Sequence, residues 1–165
     1  MEEFIVISAF VSRFAGCCAL KAYERKVSIT TKPGKNTKAT QVFDQVVVSV
    51  GNNSEKKYMF SLDQRLDFIS SEFKNNPQVL VEKYDGLTAE FCKSKNIKHI
   101  VRGLRNPADF EFEKKIALFN NSLEEIETIF FLTSPNNAFI SSSMVREIIE
   151  NGGNYKKFVP ESVSA

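Results

Sequence analysis

The chain has 165 residues, 42% of them hydrophobic and 25% charged, with Lys+Arg 22 against Asp+Glu 20; this is the profile of one soluble domain, large enough to need neither disulfides nor a structural metal. The net charge of +2 argues against a polybasic nucleic-acid binder. Cys17, Cys18 and Cys92 lack zinc-type spacing and His99 is the only histidine, which excludes the usual Cys/His metal clusters and any nucleophilic triad not built on His99; the cysteines read as inert thiols of a reducing compartment.

Residues 1 to 40 hold Arg13, Lys21, Arg25, Lys26, Lys32, Lys35 and Lys38 against Glu2, Glu3 and Glu24, a local excess of +4. The run Phe4 to Phe10 (FIVISAF) is apolar and long enough for one strand. Glu2 and Glu3 stand where a secretory signal needs basic residues, and no apolar run reaches the ~18 residues of a membrane span. The expectation is a cytoplasmic protein without a membrane partner. Residues Lys26 to Lys38 keep no sustained period and include Pro33 and Gly34, so the stretch from about Gly16 to Lys38 is expected to be irregular.

From Thr40 onward the pattern sharpens. Asp44 to Val50 (DQVVVSV) reads as a strand buried on both faces. Ser61 with Gln64 has capping-box spacing and opens a helix whose inner face is Leu62, Leu66, Ile69 and Phe73. QVLVEK is the next strand. Gly86 to Asn96 gives a short helix with Leu87, Phe91 and Cys92 inward, and Lys98 to Val101 (KHIV) a third strand. Asn106 caps a helix with Pro107 at its first position, running through Asn120 with Phe112, Ile116 and Phe119 inward. Ile126 to Leu132 is another strand. A last helix starts in Ser141 to Ser143, buries Met144, Val145, Ile148 and Ile149, and stops at Asn151, Gly152 and Gly153. This alternation predicts an α/β fold: a doubly wound parallel sheet, Rossmann-like, with helices on both faces and ligands at the carboxyl ends of the strands.

Three features lie at such ends. Arg102-Gly103-Leu104-Arg105 follows KHIV, placing two guanidinium forks beside a glycine that allows close approach of a ligand; the alternative is a pair of surface salt bridges. Ser141-Ser142-Ser143 opens a helix, where hydroxyls, free amides and the dipole favour an anion; ordinary capping needs one serine only. Lys56-Lys57 follows the DQVVVSV strand, and such a pair is most often simply solvated. Together the three point to a nucleotide or phosphorylated ligand.

The stretches VVVSVGNNSEKKYMFSLDQR, IVRGLRNPADFEFEKKIALFN and FFLTSPNNAFISSSMVREII closely resemble the bacterial phosphopantetheine adenylyltransferases, from about Ala39 to Val163. The resemblance implies a nucleotidyltransferase α/β fold, assembly as a homohexamer, and transfer of the adenylyl group of ATP, with Mg²⁺, to 4′-phosphopantetheine, giving dephospho-coenzyme A and pyrophosphate. It would place Lys56 and Arg102 on the phosphopantetheine phosphate and Leu87 and Thr88 near the pantetheine arm. Gly103, Leu104, Arg105 and Glu113 would surround ATP. Asn137, Ala138, Phe139, Ile140, Ser141, Ser142, Ser143 and Arg146 would bind adenine and triphosphate.

The resemblance stops upstream of Ala39. The family's glycine turn and Thr/His-x-Gly-His motif, whose last histidine stabilises the transition state, have no counterpart; that histidine position falls on Lys32 and the turn threonine near Glu24. Three accounts fit the break. They are a shifted reading frame upstream of Ala39, a divergent homologue that binds nucleotide or coenzyme A without catalysis, and a different catalytic arrangement using Lys32 or another basic residue of the first segment.

Overall fold

The computed structural model describes residues 4–9, 44–52, 58–133 and 137–163; for 4–9 only the backbone enters the description. Lys56, Lys57, Lys32, Glu24 and the stretch from Gly16 to Lys38 therefore lie outside the described residues. The elements run β1 (Phe4–Ala9), β2 (Gln45–Gly51), α1 (Leu62–Phe73), β3 (Val79–Tyr84), α2 (Thr88–Ser94), β4 (His99–Leu104), α3 (Pro107–Glu124), β5 (Glu127–Leu132) and α4 (Ser142–Glu150). The strands form one parallel sheet in the order β3-β2-β1-β4-β5. The expected doubly wound pattern is present, and the FIVISAF strand fills the central slot, with Val6 beside Val47 on one side and Ile100 on the other.

The period of two in β2 divides the core. Val46, Val48 and Val50 pack with Val101, Ile69 and Phe73 on the α1 face. Val47 packs with Ile100, Ile126, Tyr84, Phe91, Cys92 and Ile97 on the α2 face. A continuous β-branched run suits this position because both faces of a central parallel strand are covered. A third cluster joins Phe60, Ile140, Val145, Val159 and Val163, with Phe68 of α1 packed against it. Ser162 Oγ donates to Glu72 at 3.0 Å, tying the end of the chain to α1.

The helix starts follow their local chemistry. Ser61 and Gln64 form the reciprocal capping box, with bonds of 2.9 and 3.1 Å. Asn106 Oδ1 accepts from the Asp109 amide at 2.8 Å ahead of Pro107, and Ser141 Oγ accepts from the Met144 amide at 3.2 Å. Each bond satisfies an amide the helix itself leaves without a partner.

Four expectations are corrected. The fourth strand does not stop at Val101: pairing with β5 continues from Val101↔Ile129 to Leu104↔Leu132, so Arg102, Gly103 and Leu104 belong to the sheet. Phe112 and Phe119 point outward, 58% and 54% exposed, and α3 runs on to Glu124. Its inward face keeps Ile116 and otherwise consists of Glu113, Ala117 and Asn120, because the buried Arg102 beneath it needs a counter-charge that an apolar ring cannot supply. Leu87 is exposed; Thr88 turns inward and its hydroxyl lies 2.8 Å from that of Tyr84. In α4 only Val145 is fully buried, with Met144 and Ile149 half-buried against the third cluster.

Candidate functional site

β1 lies between β2 and β4, where the direction of sheet growth reverses, and ligands of such sheets bind at the carboxyl ends around that point. The geometry of that edge begins with β4. Because alternate strand residues face opposite ways, Ile100 and Arg102 look toward the α2 and α3 side while Val101 joins the α1 side. Arg102 is only 7% exposed, and a buried guanidinium needs a counter-charge. Glu113 on α3 supplies it: Arg102 Nε donates to Oε2 at 2.6 Å and Nη2 to Oε1 at 2.8 Å.

Arg105, just beyond the strand, makes a second fork. Its Nε and Nη2 donate to the Asp109 carboxylate at 2.8 and 3.0 Å, and its own amide donates to Asp109 Oδ2 at 3.0 Å. The hydrogen bond to Asp109 holds the guanidinium above its ordinary pKa, burial opposes this, and the attraction of the carboxylate adds to it. Asp109 and Glu113 are one helical turn apart, hence on one face of α3. One helix thus aims both arginines.

Beside Arg102 lies a recess lined by Thr88, Ile100, Glu113, Ile116, Asn120 and Thr128. Thr88 and Arg102, expected near the same substrate, are therefore brought together. Gly103 is exposed and Leu104 buried, and Leu104 O accepts from both the amide and the hydroxyl of Thr133, each at 2.7 Å. That clasp fixes the exit of β5 next to the exit of β4.

From there the chain leads to residues 137–141 and the N-terminus of α4. Asn137 is buried and its carbonyl accepts from the Ile140 amide at 3.1 Å, while Ala138 is half-buried and Ile140 buried. Phe139 is exposed, edge-on to Phe158 with ring centroids 6.2 Å apart. Of the three serines, Ser141 alone caps; Arg146 Nε donates to the Ser142 carbonyl and Nη2 to Ser143 Oγ, both at 3.4 Å. Arg146 therefore lies against the helix start. His99 begins β4 beside Glu127, at the sheet edge opposite the one Arg102 approaches. It belongs to no part of this site.

Asp109, Asn120 and Arg65 were not singled out in the sequence. Arg65 is buried at 4% and stacks 4.0 Å over Tyr58. Asp109 had a readable signal, four residues after Arg105; Asn120, seven after Glu113 and on the same helix face, had a fainter one.

A family model described as cytidylyltransferase-like matches residues 37–148. The phosphopantetheine adenylyltransferase of Flavobacterium psychrophilum is 55% identical over 122 residues, covering 74% of this chain and 81% of that protein. The enzyme of that name from Flavobacterium johnsoniae is 52% identical over 122 residues, covering 74% and 80%. That from Christiangramia forsetii is 48% identical over 126 residues, covering 76% and 83%. Among solved structures, a universal stress protein in complex with cAMP overlays with a TM-score of 0.47 at 9% identity, covering 81% of this chain and 98% of that one, a likeness too loose to carry an argument. With a parallel α/β sheet, two carboxylate-held arginines at the end of β4 and relatives of this similarity, the chain belongs to the cytidylyltransferase-like family and, within it, to the phosphopantetheine adenylyltransferases.

Proposed function

We propose that this chain transfers the adenylyl group of ATP to 4′-phosphopantetheine, releasing pyrophosphate and forming dephospho-coenzyme A. The observation that carries the reading is the pair Arg102 and Arg105, each held by two side-chain hydrogen bonds at the exit of β4, in a chain whose relatives bear that enzyme's name. A phosphate oxygen of the acceptor attacks the α-phosphorus of ATP and the bond from that phosphorus to the bridging oxygen of pyrophosphate breaks. Both reactants are anions, so the protein's task is to hold them in line and offset their charge without a nucleophile of its own.

Arg102, with Lys56, receives the acceptor phosphate, and Leu87 and Thr88 flank its pantetheine arm. Gly103, Leu104 and Arg105 receive the nucleotide phosphates. The segment Asn137 to Ser143, with Arg146, receives adenine and triphosphate at the N-terminus of α4, where amides and dipole favour an anion. Asp109 and Glu113 are each engaged with an arginine, so the described residues offer Mg²⁺ no cage of their own. The ion accompanying ATP is held by phosphate oxygens and water, and supplies charge neutralisation.

The outward face of α3 carries Phe112, Phe119, Leu118 and Leu123, all more than 40% exposed. Such a patch on a single chain supports self-association, and we assign the hexamer to it. The expected location is the cytoplasm; no helix among the described residues is long and apolar enough to cross a membrane.

A second reading has its own observation: the family match begins at residue 37, and no Thr/His-x-Gly-His motif precedes it. In that reading the chain binds ATP or coenzyme A without turnover, as a divergent homologue or the product of a shifted frame. A coupled pyrophosphate assay separates the two. The enzyme releases pyrophosphate only with ATP, Mg²⁺ and phosphopantetheine all present and loses that activity on Arg105→Ala; binding without product supports the second reading. Loss of the histidine predicts a rate roughly 100-fold or more below that of an intact relative. Resequencing the gene across codons 1–39 and finding an intact single frame with no nearby insertion or deletion removes the frameshift account.

A further inference from the structure

We infer that the segment Tyr155 to Val163 is a strap that positions the base-binding part of the nucleotide segment, with Phe158 acting through Phe139, and Val159 and Val163 acting through Ile140. The inference rests on the adenylyl-transfer reading above, in which Asn137 to Ser143 receive adenine and triphosphate, and it assigns a role to residues which that reading leaves unused.

The strap begins where α4 ends. Gly152 takes φ 68, and a Cβ on Gly153 would stand 2.9 Å from Ile148 Cγ2 and 3.1 Å from Ile148 O, so the glycine pair permits a turn that larger residues would strain. Their amides donate to the carbonyls of Ile149 and Ile148 at 2.9 and 2.7 Å, which closes the helix. Two short turns follow, from the Phe158 amide to Tyr155 O at 2.9 Å and from the Val163 amide to Pro160 O at 3.1 Å. They bring the chain back to the start of α4, where Val159 and Val163, both buried, pack with Ile140, Val145 and Phe60. Ser162 Oγ, donating to Glu72 at 3.0 Å, fastens the far end of the strap to α1.

Phe139 is the residue that needs such support. Its ring is 59% exposed, two residues before the cap of α4, and an exposed ring left to itself changes rotamer freely. A planar base that stacks on a mobile ring must first immobilise it, at a cost in affinity. Phe158 meets Phe139 at right angles, with centroids 6.2 Å apart and planes at 87°, and so favours one orientation of the ring. Phe158 is half-buried and adjoins the buried Val159, just as Phe139 adjoins the buried Ile140. Ring and backbone of the nucleotide segment are thus held from one apolar cluster. The recess beside Arg102 is lined from α2, α3, β4 and β5, so the strap is expected to act on ATP and not on the acceptor.

The test is calorimetric titration of the full chain and of Phe158→Ala, Phe158→Leu and Phe158→Tyr, with ATP and Mg²⁺ and, separately, with 4′-phosphopantetheine. Phe158→Ala is expected to weaken ATP binding about three- to tenfold, the range of one aromatic pair, and to leave phosphopantetheine binding within about 1.5-fold. Phe158→Tyr keeps the ring and is expected to bind ATP as wild type does. Phe158→Leu keeps apolar bulk without a ring and is expected to match Phe158→Ala; should Phe158→Ala not fold, Phe158→Leu carries the same comparison. A merely structural role would lower the melting temperature without splitting the two ligands. Wild type that binds both ligands while Phe158→Ala and Phe158→Leu leave ATP binding unchanged, or weaken both ligands equally, overturns the inference and leaves the functional reading standing. Wild type that binds neither overturns both.

Discussion

Gly51 and Tyr84 face each other across β2 and β3, and the Tyr84 ring occupies the space a side chain at position 51 would need: a Cβ there would stand 3.0 Å from Oη and 3.1 Å from Cζ. The ring cannot yield freely. It is buried, stacked on Phe91 with centroids 4.9 Å apart, and its hydroxyl is 2.8 Å from that of Thr88, which lines the recess beside Arg102. Gly51→Ala is therefore expected to cost about 1–3 kcal/mol, as overpacking does. In a Tyr84→Phe background, which removes the nearest atom, the same substitution is expected to cost less. Equal costs in both backgrounds, measured by urea unfolding, would show that Oη is not the obstacle.

Glu125 ends α3 in the left-handed conformation, φ 53, with its amide donating to Asn121 O at 2.8 Å. A residue with a Cβ pays about 1–2 kcal/mol in that region, and glycine is the usual occupant of such helix ends. The Glu125 side chain is exposed, so its removal forfeits little packing. Glu125→Gly is expected to raise Tm by about 2–4 °C for each kcal/mol relieved. A lower Tm would mean that the side chain contributes more than its conformation costs.

The self-association proposed for the apolar face of α3 can be tested directly. Phe112, Phe119 and Leu123 recur at helical spacing on the side turned from the sheet, and Leu132 at the end of the edge strand β5 is 80% exposed. Phe112→Glu together with Phe119→Glu is expected to convert the assembly to smaller species in light scattering while leaving far-ultraviolet circular dichroism unchanged. A wild-type chain that already runs as a monomer would defeat the assignment of this face.

These elements also mark what could be read beforehand. Strand and helix order followed from periodicity because the β2 run and the helix caps at Ser61, Asn106 and Ser141 are local signals. The inner face of α3 was not legible from hydrophobicity. A helix that carries a polar device inward and an apolar stripe outward reverses the usual rule, and only the tertiary position of Arg102 reveals it. The arginines are legible as residues, and so is the partner of Arg105, since Asp109 stands four residues on. Glu113, eleven residues from Arg102, carries no mark in the sequence of which guanidinium it meets.

Cys92 gives a prediction that depends on pH. It is fully buried in the cluster under α2, and burial pushes its thiol from an ordinary value of 9.0 up to about 12. The folded state therefore keeps a proton that the unfolded chain releases above pH 9. Stability from this group is complete below that pH and declines as the pH rises toward 12, since the unfolded state then binds fewer protons than the native one. Cys92→Ala is expected to lower stability at pH 7, through the lost packing, and to flatten the decline between pH 9 and 11 relative to wild type. Mass-spectrometric footprinting with iodoacetamide at pH 8 is expected to leave the Cys92 peptide unmodified in native protein and to label it in urea, because the thiolate is the nucleophile and the native thiol is both neutral and enclosed. Rapid native labelling of that peptide would mean that α2 opens readily from the sheet, and the packing around Tyr84 and Phe91 would then be too weak to hold the recess beside Arg102.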